Sequence, residues 1–362
     1  MKKILMVNNG FTYRKINYGG VNKMFLWLGN SLAEDGYEVT FCCIHDKERS
    51  ERISSKVKSI ELGIPAHERY FRKHTSYLFH STRHLRKVLK DGNYDYVFNF
   101  DGLAFYVLLF LRLFYSYQFV VSERADPNYN QSKLAILKRW LYQYVDVLVC
   151  QTEGAKSFFP FKTQKKSVVI PNPIEIPSDQ WCIKSTSRQI AHTARLHIWQ
   201  KRQDVLLNAF SLFRKNHKDY KLNIYGSGPD DDKLKEMVEK LGIGKSVIFH
   251  GNTTNVRAEL LKNEMFVLTS DFEGMPNALM EAMALGMPVI STKCSPGGAE
   301  SLIRDNENGL LTECGDVKCL ADALCKYADN RQMEETFGIY ARQAMKKYNP
   351  KEIIMRWEKL IN

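Results

Sequence analysis

The chain has 362 residues, which is enough for about two domains of ordinary size, each with its own core. With 44% hydrophobic and 25% charged residues, the composition is typical of a folded globular protein and excludes a disordered, collagen-like or coiled-coil chain. The net charge of +12 comes almost entirely from residues 1–172, which contain 26 Lys and Arg against 15 Asp and Glu, whereas residues 173–362 contain 26 and 25.

A basic first half suits nucleic acid, an anionic bilayer or a phosphate-bearing substrate, and charge alone does not choose among them. Because the sequence has no zinc-finger spacing, basic zipper or RNP-like segment, we expect no nucleic-acid partner. The eight cysteines include no Cys-x-x-Cys pair, which predicts reduced, mostly buried thiols in a cytoplasmic protein. The first apolar run ends before Asn8, so it is too short for a signal peptide and predicts a buried strand.

Short β-like runs alternate with helical patterns along the first half, as in parallel βαβ units. Taken alone, the Gly19-Gly20 pair after the first strand indicates a tight turn. The predicted elements are, in chain order, strand 3–8, helix 19–35, strand 38–44, helix 75–90, strand 94–100, a helix, strand 118–122, helix 133–144 and strand 145–151.

Residues 103–121 are nearly all apolar or aromatic, which raises the question of a membrane span. Arg112 lies in their middle, and a central Arg costs about 2.5–3.5 kcal/mol on insertion scales, so a transmembrane helix is disfavoured. We predict a buried helix, a turn and a strand. A shallow contact of the same aromatic helix with an anionic membrane surface remains open beside this prediction.

Three prolines between residues 171 and 177 break regular structure and predict a linker. The alternation then resumes with strand 189–194, helix 202–216, strand 221–225, helix 231–241, strand 247–250, helix 256–262, strand 265–269, helix 276–285 and strand 288–292. A closing helix, 351–361, carries Ile353, Ile354, Trp357 and Leu360 on one face and should pack against protein.

The pattern as a whole predicts an α/β fold with two doubly wound Rossmann-like domains. Their expected bounds are 1–170 and 188–348, joined by a linker at 171–187, with a C-terminal helix at 349–362 that packs back on the N-terminal domain. Ligands of such sheets bind at the carboxyl ends of the strands, so we expect a ligand in the cleft between the domains.

Residues 270–292 (SDFEGMPNALMEAMALGMPVIST) are the most informative stretch. Pro276 suits the first position of a helix and Gly286 its end, which makes Gly274 and Met275 the turn in front of that helix. The unpaired N–H groups and the positive end of the helix dipole point outward at such a turn, so it is suited to bind a diphosphate.

Two acids lie on either side of this anion site. Glu281 follows Asn277 by one helical turn on the same face, and Glu273 precedes the turn. Without further context, a structural explanation is equally good: Glu273 is a favourable charge near the helix start, and Glu281 is an exposed residue of the helix.

The stretch, with its Glu-x7-Glu spacing, closely resembles the donor-site motif of retaining, family 4-type glycosyltransferases of the GT-B fold, as found in bacterial polysaccharide biosynthesis. Six further motifs fall in the family's order, so the resemblance covers essentially the whole chain. They are Gly19-Gly20, VVIPNPI at 168–174, Thr193-Ala194-Arg195-Leu196 followed by Lys201, Tyr225-Gly226-Ser227-Gly228-Pro229, Phe249-His250-Gly251 and Gly297-Gly298-Ala299-Glu300.

The resemblance implies that Arg195 and Lys201 bind the donor diphosphate, and two cations would indeed neutralise the charge that develops on the leaving oxygen. It assigns the ribose hydroxyls to Glu281 and a sugar hydroxyl to Glu273. The other implied donor-binding positions are Gly19 and Gly20, Gly251 and Asn252 beside the base, and the turn Gly274, Met275, Pro276 and Asn277.

The sequence departs from the family at the end of strand 118–122. Many relatives have a His there, whereas this chain has Arg124. Arg stays protonated and cannot act as a base, but Arg124 can bind a phosphate or orient an acceptor, and Glu123 or Asp126 can contact the acceptor hydroxyl. A purely structural pairing of Arg124 with a carboxylate is the alternative.

Other polar groups are weaker candidates for a site. Asp230, Asp231 and Asp232 precede a helix, where acids cap and complement the dipole, so we expect no metal there. His192 and His250 have no metal-ligand spacing. A two-carboxylate hydrolase could use Glu273 and Glu281, but it would leave the diphosphate-binding equipment without a purpose.

These inferences predict a cytoplasmic, metal-independent enzyme with no bound cofactor. By resemblance, it transfers a sugar with retention from a nucleoside diphosphate, expected to be UDP, to a glycan or lipid-linked acceptor. The basic first half suggests peripheral contact with the anionic inner membrane. A nucleotide-sugar 2-epimerase of the same fold and a catalytically silent nucleotide-sugar-binding protein are the rival interpretations.

Overall fold

The computed structural model describes residues 1–11, 20–64, 71–100, 102–181 and 187–362, and of residues 71–77 only the backbone. The chain divides into two compact units. Unit 1 comprises Met1–Pro171 and Ile353–Asn362, and unit 2 comprises Asn172–Glu352.

Unit 1 is built on seven parallel strands. They are β1 (Lys3–Asn8), β2 (Glu38–Cys43), β3 (Lys58–Glu61), β4 (Tyr96–Asn99), β5 (Gln118–Ser122), β6 (Val147–Cys150) and β7 (Ser167–Val169). Their order in the sheet is β3-β2-β1-β4-β5-β6-β7. Central parallel strands are covered on both faces and therefore read as continuous apolar runs, as in β1, where every residue from Ile4 to Asn8 is buried.

The helices of unit 1 that precede the second unit are α1 (Gly20–Glu34), α2 (Phe71–Gly92), α3 (Ala104–Leu111), α4 (Lys133–Leu141), α5 (Glu153–Ser157) and α6 (Phe161–Gln164). The expected helix, turn and strand over residues 103–121 are confirmed as α3, a turn and β5. Phe105 and Leu108 are buried, whereas Phe110 and Phe114 are exposed. In the described part of the chain, no helix has the length and apolar character that a membrane crossing requires.

Unit 2 contains a second parallel sheet, with six strands. They are β8 (Gln189–Thr193), β9 (Lys221–Tyr225), β10 (Val247–Gly251), β11 (Met265–Leu268), β12 (Val289–Thr292) and β13 (Leu310–Thr312). The order β10-β9-β8-β11-β12-β13 is that of a doubly wound dinucleotide-binding sheet. Its helices are α7 (Ile198–Lys201), α8 (Gln203–Phe213), α9 (Asp231–Lys240), α10 (Val256–Leu260), α11 (Asn277–Leu285), α12 (Val317–Ala328) and α13 (Arg331–Met345).

The last helix, α14 (Pro350–Glu358), brings the end of the chain to the core of unit 1. Ile353 and Trp357 are fully buried there, and the indole ring stacks on Phe100 with 5.9 Å between ring centroids. The apolar face predicted for this segment is thus packed against protein. Trp357 alone buries enough apolar surface to stabilise the contact by about 2–3 kcal/mol.

The sequence prediction missed three strands and several helices. β3, β7 and β13 have only three or four residues each, too few to show a clear alternation. α12 and α13 lie in residues 293–350, to which no element was assigned. The helix predicted at 133–144 was too long, because α4 ends at Leu141 and a 3-10 turn, Tyr142–Tyr144, follows.

Of the cysteines in the described ranges, Cys42, Cys43, Cys150 and Cys294 are buried and Cys314 is exposed. The seven described thiols form no disulfide bond. Burial raises the pKa of Cys42 and Cys150 to about 12, so these thiols stay protonated and act as small apolar groups.

Candidate active site

The sheet of unit 2 has its topological switch point between β8 and β11, which are neighbours although far apart in sequence. Open α/β sheets bind their ligands at the carboxyl ends of the strands at such a point. β8 ends at Thr193 and β11 at Leu268, so the segments 194–203 and 269–277 lie at this edge. Every catalytic residue predicted in the sequence falls in these two segments.

The segment after β8 packs directly on the turn after β9. A Cβ on Gly226 would lie 2.0 Å from the carbonyl oxygen of Ala194, and one on Gly228 would lie 2.1 Å from that of Leu196. Only glycine allows so close an approach of two backbones. Arg195 lies between these contacts, with its side chain exposed.

A buried polar network supports the backbone at Arg195. The amide nitrogen of Gln203 donates to the carbonyl oxygen of Arg195 over 3.0 Å and lies 3.5 Å from Nε2 of His192. Nδ1 of His192 lies 2.9 Å from the carbonyl oxygen of Val267. Burial lowers the pKa of His192 to about 4, so the neutral ring donates from Nδ1 and accepts at Nε2. His192 is therefore structural, as its lack of ligand spacing predicts.

Asp230 orients the short helix α7. Its Oδ2 accepts the backbone N–H of Ile198, the first residue of α7, over 2.9 Å. At the start of α9 the side chain of Asp230 makes no capping hydrogen bond, whereas Asp231 and Asp232 lie in the first turn, where acids complement the helix dipole as expected. The Ile198 N–H group is an orphan donor at the start of α7, and the Asp230 carboxylate satisfies it.

The other end of α7 is tied to the loop after β11. Arg202 adopts a left-handed conformation with φ +48°, and its guanidinium contacts Asp204 at 3.0 Å and Asp271 at 2.9 Å. The backbone N–H of Asp271 donates to the carbonyl oxygen of Gln200 over 2.9 Å, and the Thr269 hydroxyl donates to that of Lys201 over 2.8 Å. These contacts fix the position of Lys201.

Lys201 and Glu273 come together as an ion pair. Nζ of Lys201 donates to Oε1 of Glu273, and the two side chains are 16% and 13% exposed. The buried hydroxyl of Ser270 donates to the same carboxylate oxygen over 2.8 Å. Trp199 lies in the same helix as Lys201, and its ring is 56% exposed and makes an edge contact with Phe272.

The turn predicted before α11 is present, but the helix begins one residue later than expected. Pro276 is the residue before the helix, with φ −77° and ψ 95°, rather than its first helical residue. Having no polar side chain, it leaves the first N–H groups of α11 without a side-chain cap. Gly286 ends the helix with φ +84°, as predicted. A Cβ on Gly298 would lie 2.9 Å from the carbonyl oxygen of Gly274, so this turn is tightly packed from behind.

Met275 and Asn277 make contacts that the sequence did not indicate. The backbone N–H of Asn172 approaches Sδ of Met275 at 3.2 Å, and the Asn172 amide donates to Oδ1 of Asn277 over 2.6 Å. Both residues thus hold the start of unit 2 against α11. Glu281 lies one turn further along the helix and is half-buried.

Gly251 is the last residue of β10, the other neighbour of β9 in the sheet, and Asn252 follows it. The carbonyl oxygen of Gly251 accepts the N–H of Gly226 over 2.7 Å, and the Asn252 amide donates to the Ser227 hydroxyl over 2.8 Å. Gly251 has φ +67°, and no described heavy atom lies within 4 Å of a Cβ built on it. There is accordingly open space beside this glycine in unit 2.

The predicted acceptor-side residues lie at the end of β5 in unit 1. Arg124 is buried, and its guanidinium carbon lies 5.4 Å from the ring centroid of Phe100 and 5.5 Å from that of Trp357. Burial lowers its pKa to about 9. Glu123 accepts the Tyr142 hydroxyl over 2.6 Å.

The first predicted donor turn is described only in part. Gly20 is exposed and begins α1, whereas Gly19 lies outside the described residues. Among the described residues, no group of three or more His, Cys, Asp or Glu side chains is placed to hold a metal ion.

A doubly wound sheet with an ion pair beside an uncapped helix N-terminus is suited to bind a phosphate-bearing nucleotide ligand. Family models match almost the whole chain, namely Glycosyltransferase Family 4 over residues 18–176 and Glycosyl transferases group 1 over residues 175–344. The chain therefore belongs to the glycosyltransferases that these two models describe, and it has the GT-B fold.

Curated relatives match the chain end to end. An uncharacterized glycosyltransferase of Haemophilus influenzae is 26% identical and covers 100% of both chains. The GalNAc-alpha-(1->4)-GalNAc-alpha-(1->3)-diNAcBac-PP-undecaprenol alpha-1,4-N-acetyl-D-galactosaminyltransferase of Campylobacter jejuni is 27% identical over 98% of both chains. A crystal structure of S. aureus TarM, in complex with UDP among other ligands, superposes with a TM-score of 0.83 at 17% identity and full coverage of both chains, which shows the shared fold.

Proposed function

We propose that the enzyme transfers a sugar, with retention at the anomeric carbon, from a UDP-sugar to a hydroxyl of a lipid-linked glycan in cell-surface polysaccharide synthesis. The observation that carries this proposal is the Lys201–Glu273 pair beside the turn at Gly274 and the uncapped start of α11. A cation and backbone N–H groups there suit the negative charge of a diphosphate.

The donor roles are those that the resemblance to family 4-type glycosyltransferases implies, and the positions of the side chains support them. Arg195 is exposed at the end of β8, and Lys201 is fixed by α7, so both are available to the diphosphate. Glu273 binds a sugar hydroxyl and Glu281 the ribose hydroxyls, while the open space beside Gly251 and Asn252 takes the base. UDP as the donor nucleotide is supported by the UDP complex of the structural neighbour TarM.

In the proposed reaction, the bond between the anomeric carbon and the phosphate oxygen breaks as the acceptor oxygen bonds to the same face of that carbon. The acceptor proton passes to the departing phosphate oxygen, so no side chain acts as a base. Arg195, Lys201 and the amides around Gly274 stabilise the charge that develops on the leaving diphosphate, which is worth several kcal/mol for such preorganised donors.

The acceptor assignment is supported by the Campylobacter jejuni relative, whose name describes transfer to an undecaprenol-linked glycan. A cytoplasmic enzyme with a lipid-linked acceptor works at the inner face of the cell membrane. The excess positive charge of residues 1–172 fits that location.

Thermal unfolding in the presence of UDP, GDP, ADP, CMP and UDP-sugars tests the proposal. A ligand at 100 times its dissociation constant stabilises the folded protein by about 2.7 kcal/mol, so a selective shift with UDP is expected. No shift with any nucleotide on a folded sample contradicts it. Conversion of a UDP-sugar without acceptor would point to an epimerase, and binding without turnover on any lipid-linked acceptor to a silent binding protein.

A further inference from the structure

One surface of unit 1 exposes large apolar side chains. Between the end of α3 and α6, six of them are 50% to 77% exposed. We call this surface the aromatic face, and it consists of Phe110, Leu113, Phe114, Ile136, Trp140 and Phe161. Scattered apolar residues are normal on a protein surface, but a concentration of this kind marks an interaction site.

Helix α4 shows the feature most clearly. Its sequence, KLAILKRWL, contains Leu134, Ile136, Leu137 and Trp140, yet none of its nine residues is buried. A helix of a globular protein normally turns its apolar stripe toward the core. Four apolar side chains of α4 are instead 43% to 58% exposed, and only Leu141 at its end packs against the core of unit 1.

Ring contacts and a groove connect parts of the aromatic face. The rings of Phe110 and Phe114 are 5.5 Å apart, and those of Trp140 and Tyr144 are 5.6 Å apart. A groove of about 600 Å³, lined by Phe110, Leu113 and Tyr144 among others, joins the end of α3 to the segment after α4.

The charges around this surface select the partner. Residues 133–166 contain seven Lys and Arg against two Asp and Glu, and one of those acids, Asp146, pairs with Arg112 at 2.5 Å. Lys133 and Lys162 are exposed, and Nζ of Lys165 lies 4.7 Å from the ring centroid of Phe161. A second copy of this chain would bring like charges together, whereas an anionic lipid surface complements both the charge and the apolar side chains.

We propose that the aromatic face binds an anionic bilayer, with Trp140 at the level of the lipid headgroups, Phe114 at the boundary with the acyl chains and the surrounding lysines on anionic lipids. The indole ring of Trp140 has one polar N–H edge and is suited to the headgroup level, whereas the wholly apolar ring of Phe114 is suited to the acyl boundary. This inference rests on the proposed function in one respect, because docking would bring the enzyme to a membrane-borne acceptor. The docking itself requires neither donor nor acceptor.

Sedimentation of the full chain with vesicles tests this docking. Binding is expected to vesicles of phosphatidylcholine with about 30% phosphatidylglycerol, to weaken as salt rises, and to be weak on phosphatidylcholine alone. The variant F114S/W140S should bind about tenfold less lipid. The variant K133Q/K162Q should bind about tenfold less lipid at low salt and should lose most of the salt dependence of binding.

Matched control variants carry the same types of substitution in unit 2. They are I339S/Y340S, whose parent side chains are 43% and 50% exposed, and K240Q/K245Q, whose parent lysines are exposed. Both control variants should bind vesicles like the parent.

Three results would overturn the docking proposal. They are absence of salt-sensitive vesicle binding by the folded parent, parent-like binding by F114S/W140S, and a parent dimer that F114S/W140S converts to a monomer in sedimentation without lipid. The last would assign the aromatic face to a second copy. A thermal shift with UDP in the same samples reports on unit 2, so failure of docking and failure of the donor assignment are separately visible.

Discussion

Lys201 and Glu273 are 72 residues apart in the chain and form an ion pair in which both side chains are more than four-fifths buried. Removing one partner of such a pair leaves the other charge uncompensated, so the two residues are coupled in stability and in function. An incoming diphosphate brings negative charge, which gives Lys201 a second acceptor and leaves Glu273 with the Ser270 hydroxyl. The pair therefore holds the lysine in place before the donor arrives.

Lys201→Ala should lower kcat/KM for the UDP-sugar by about 10² to 10³, because a preorganised cation is lost from the leaving diphosphate. The measurement is UDP release during turnover with the acceptor-containing lipid fraction, alongside thermal unfolding to verify the fold. Lys293→Ala is the matched control, since Lys293 is exposed and pairs with Glu313 at 2.5 Å in the same unit. Turnover of Lys201→Ala close to that of Lys293→Ala would refute the assignment.

Ser270→Ala should lower kcat about tenfold while lowering the free energy of unfolding by only about 1 kcal/mol. The hydroxyl orients Glu273 over 2.8 Å, and without it the carboxylate is free to follow Lys201 rather than the substrate. Ser291→Ala is the control, because Ser291 is equally buried and donates to a carbonyl oxygen at 3.1 Å away from the pair. Equal kcat for the two variants would show that Ser270 has no positioning role.

The stretch 265–292 could be predicted from sequence because its signals are local. A short apolar strand, a Gly-containing turn, an apolar periodic helix and a closing glycine follow one another within 28 residues, and the structure places β11, α11 and β12 there. Only the position of Pro276 was wrong. Proline's fixed φ suits the residue before a helix as well as the first one within it.

The supporting residues could not be predicted, since their partners are distant in sequence. Arg202 contacts Asp271 across 69 residues, and Asn172 contacts Asn277 across 105. No helical or strand periodicity in the sequence connects such positions. Each side chain, taken alone, is indistinguishable from a solvated polar group on the surface. Gln203, which supports Arg195 from a buried position, gives no sequence signal for the same reason.

Gly298→Ala should weaken UDP binding about tenfold. The new Cβ would lie 2.9 Å from the carbonyl oxygen of Gly274 and 3.1 Å from Cδ of Pro276, so the turn in front of α11 must move, and misplaced N–H groups lose much of their contribution. The affinity is measured by calorimetric titration. Gly297→Ala serves for comparison, because that position has φ +89° and open space and should lose stability without losing affinity. Unchanged UDP affinity in Gly298→Ala would show that the turn does not contact the donor.

Chelation with EDTA should leave the turnover of the enzyme unchanged. The proposed mechanism assigns charge stabilisation to Arg195, Lys201 and backbone amides, which need no divalent ion. Adding Mg²⁺ or Mn²⁺ to the EDTA-treated enzyme should likewise change the rate by less than about twofold. Loss of activity with EDTA and its recovery with a metal would replace this part of the mechanism.

Glu334 is a buried acid in α13 whose two carboxylate oxygens have no hydrogen-bond partner among the described residues. Burial, reinforced by the nearby negative charge of Glu264, raises its pKa to about 8, and Arg331 and Arg188 only partly oppose this. The phenol groups of Tyr220 and Tyr327 also face it. The side chain is therefore neutral in the folded protein at pH 7.

The contribution of Glu334 should make the free energy of unfolding fall as the pH rises from about 4.5 to about 8. In that window the unfolded chain has released the Glu334 proton and the folded chain still holds it, so rising pH favours unfolding. Glu334→Gln removes the dependence and should be more stable than the parent at pH 8 by on the order of 2–4 kcal/mol, with no difference near pH 4. Urea unfolding of both proteins at these two pH values measures it, with the exposed neighbour Glu335→Gln as control. A pH profile of Glu334→Gln that parallels the parent would show that Glu334 is ionised or solvated in the folded state.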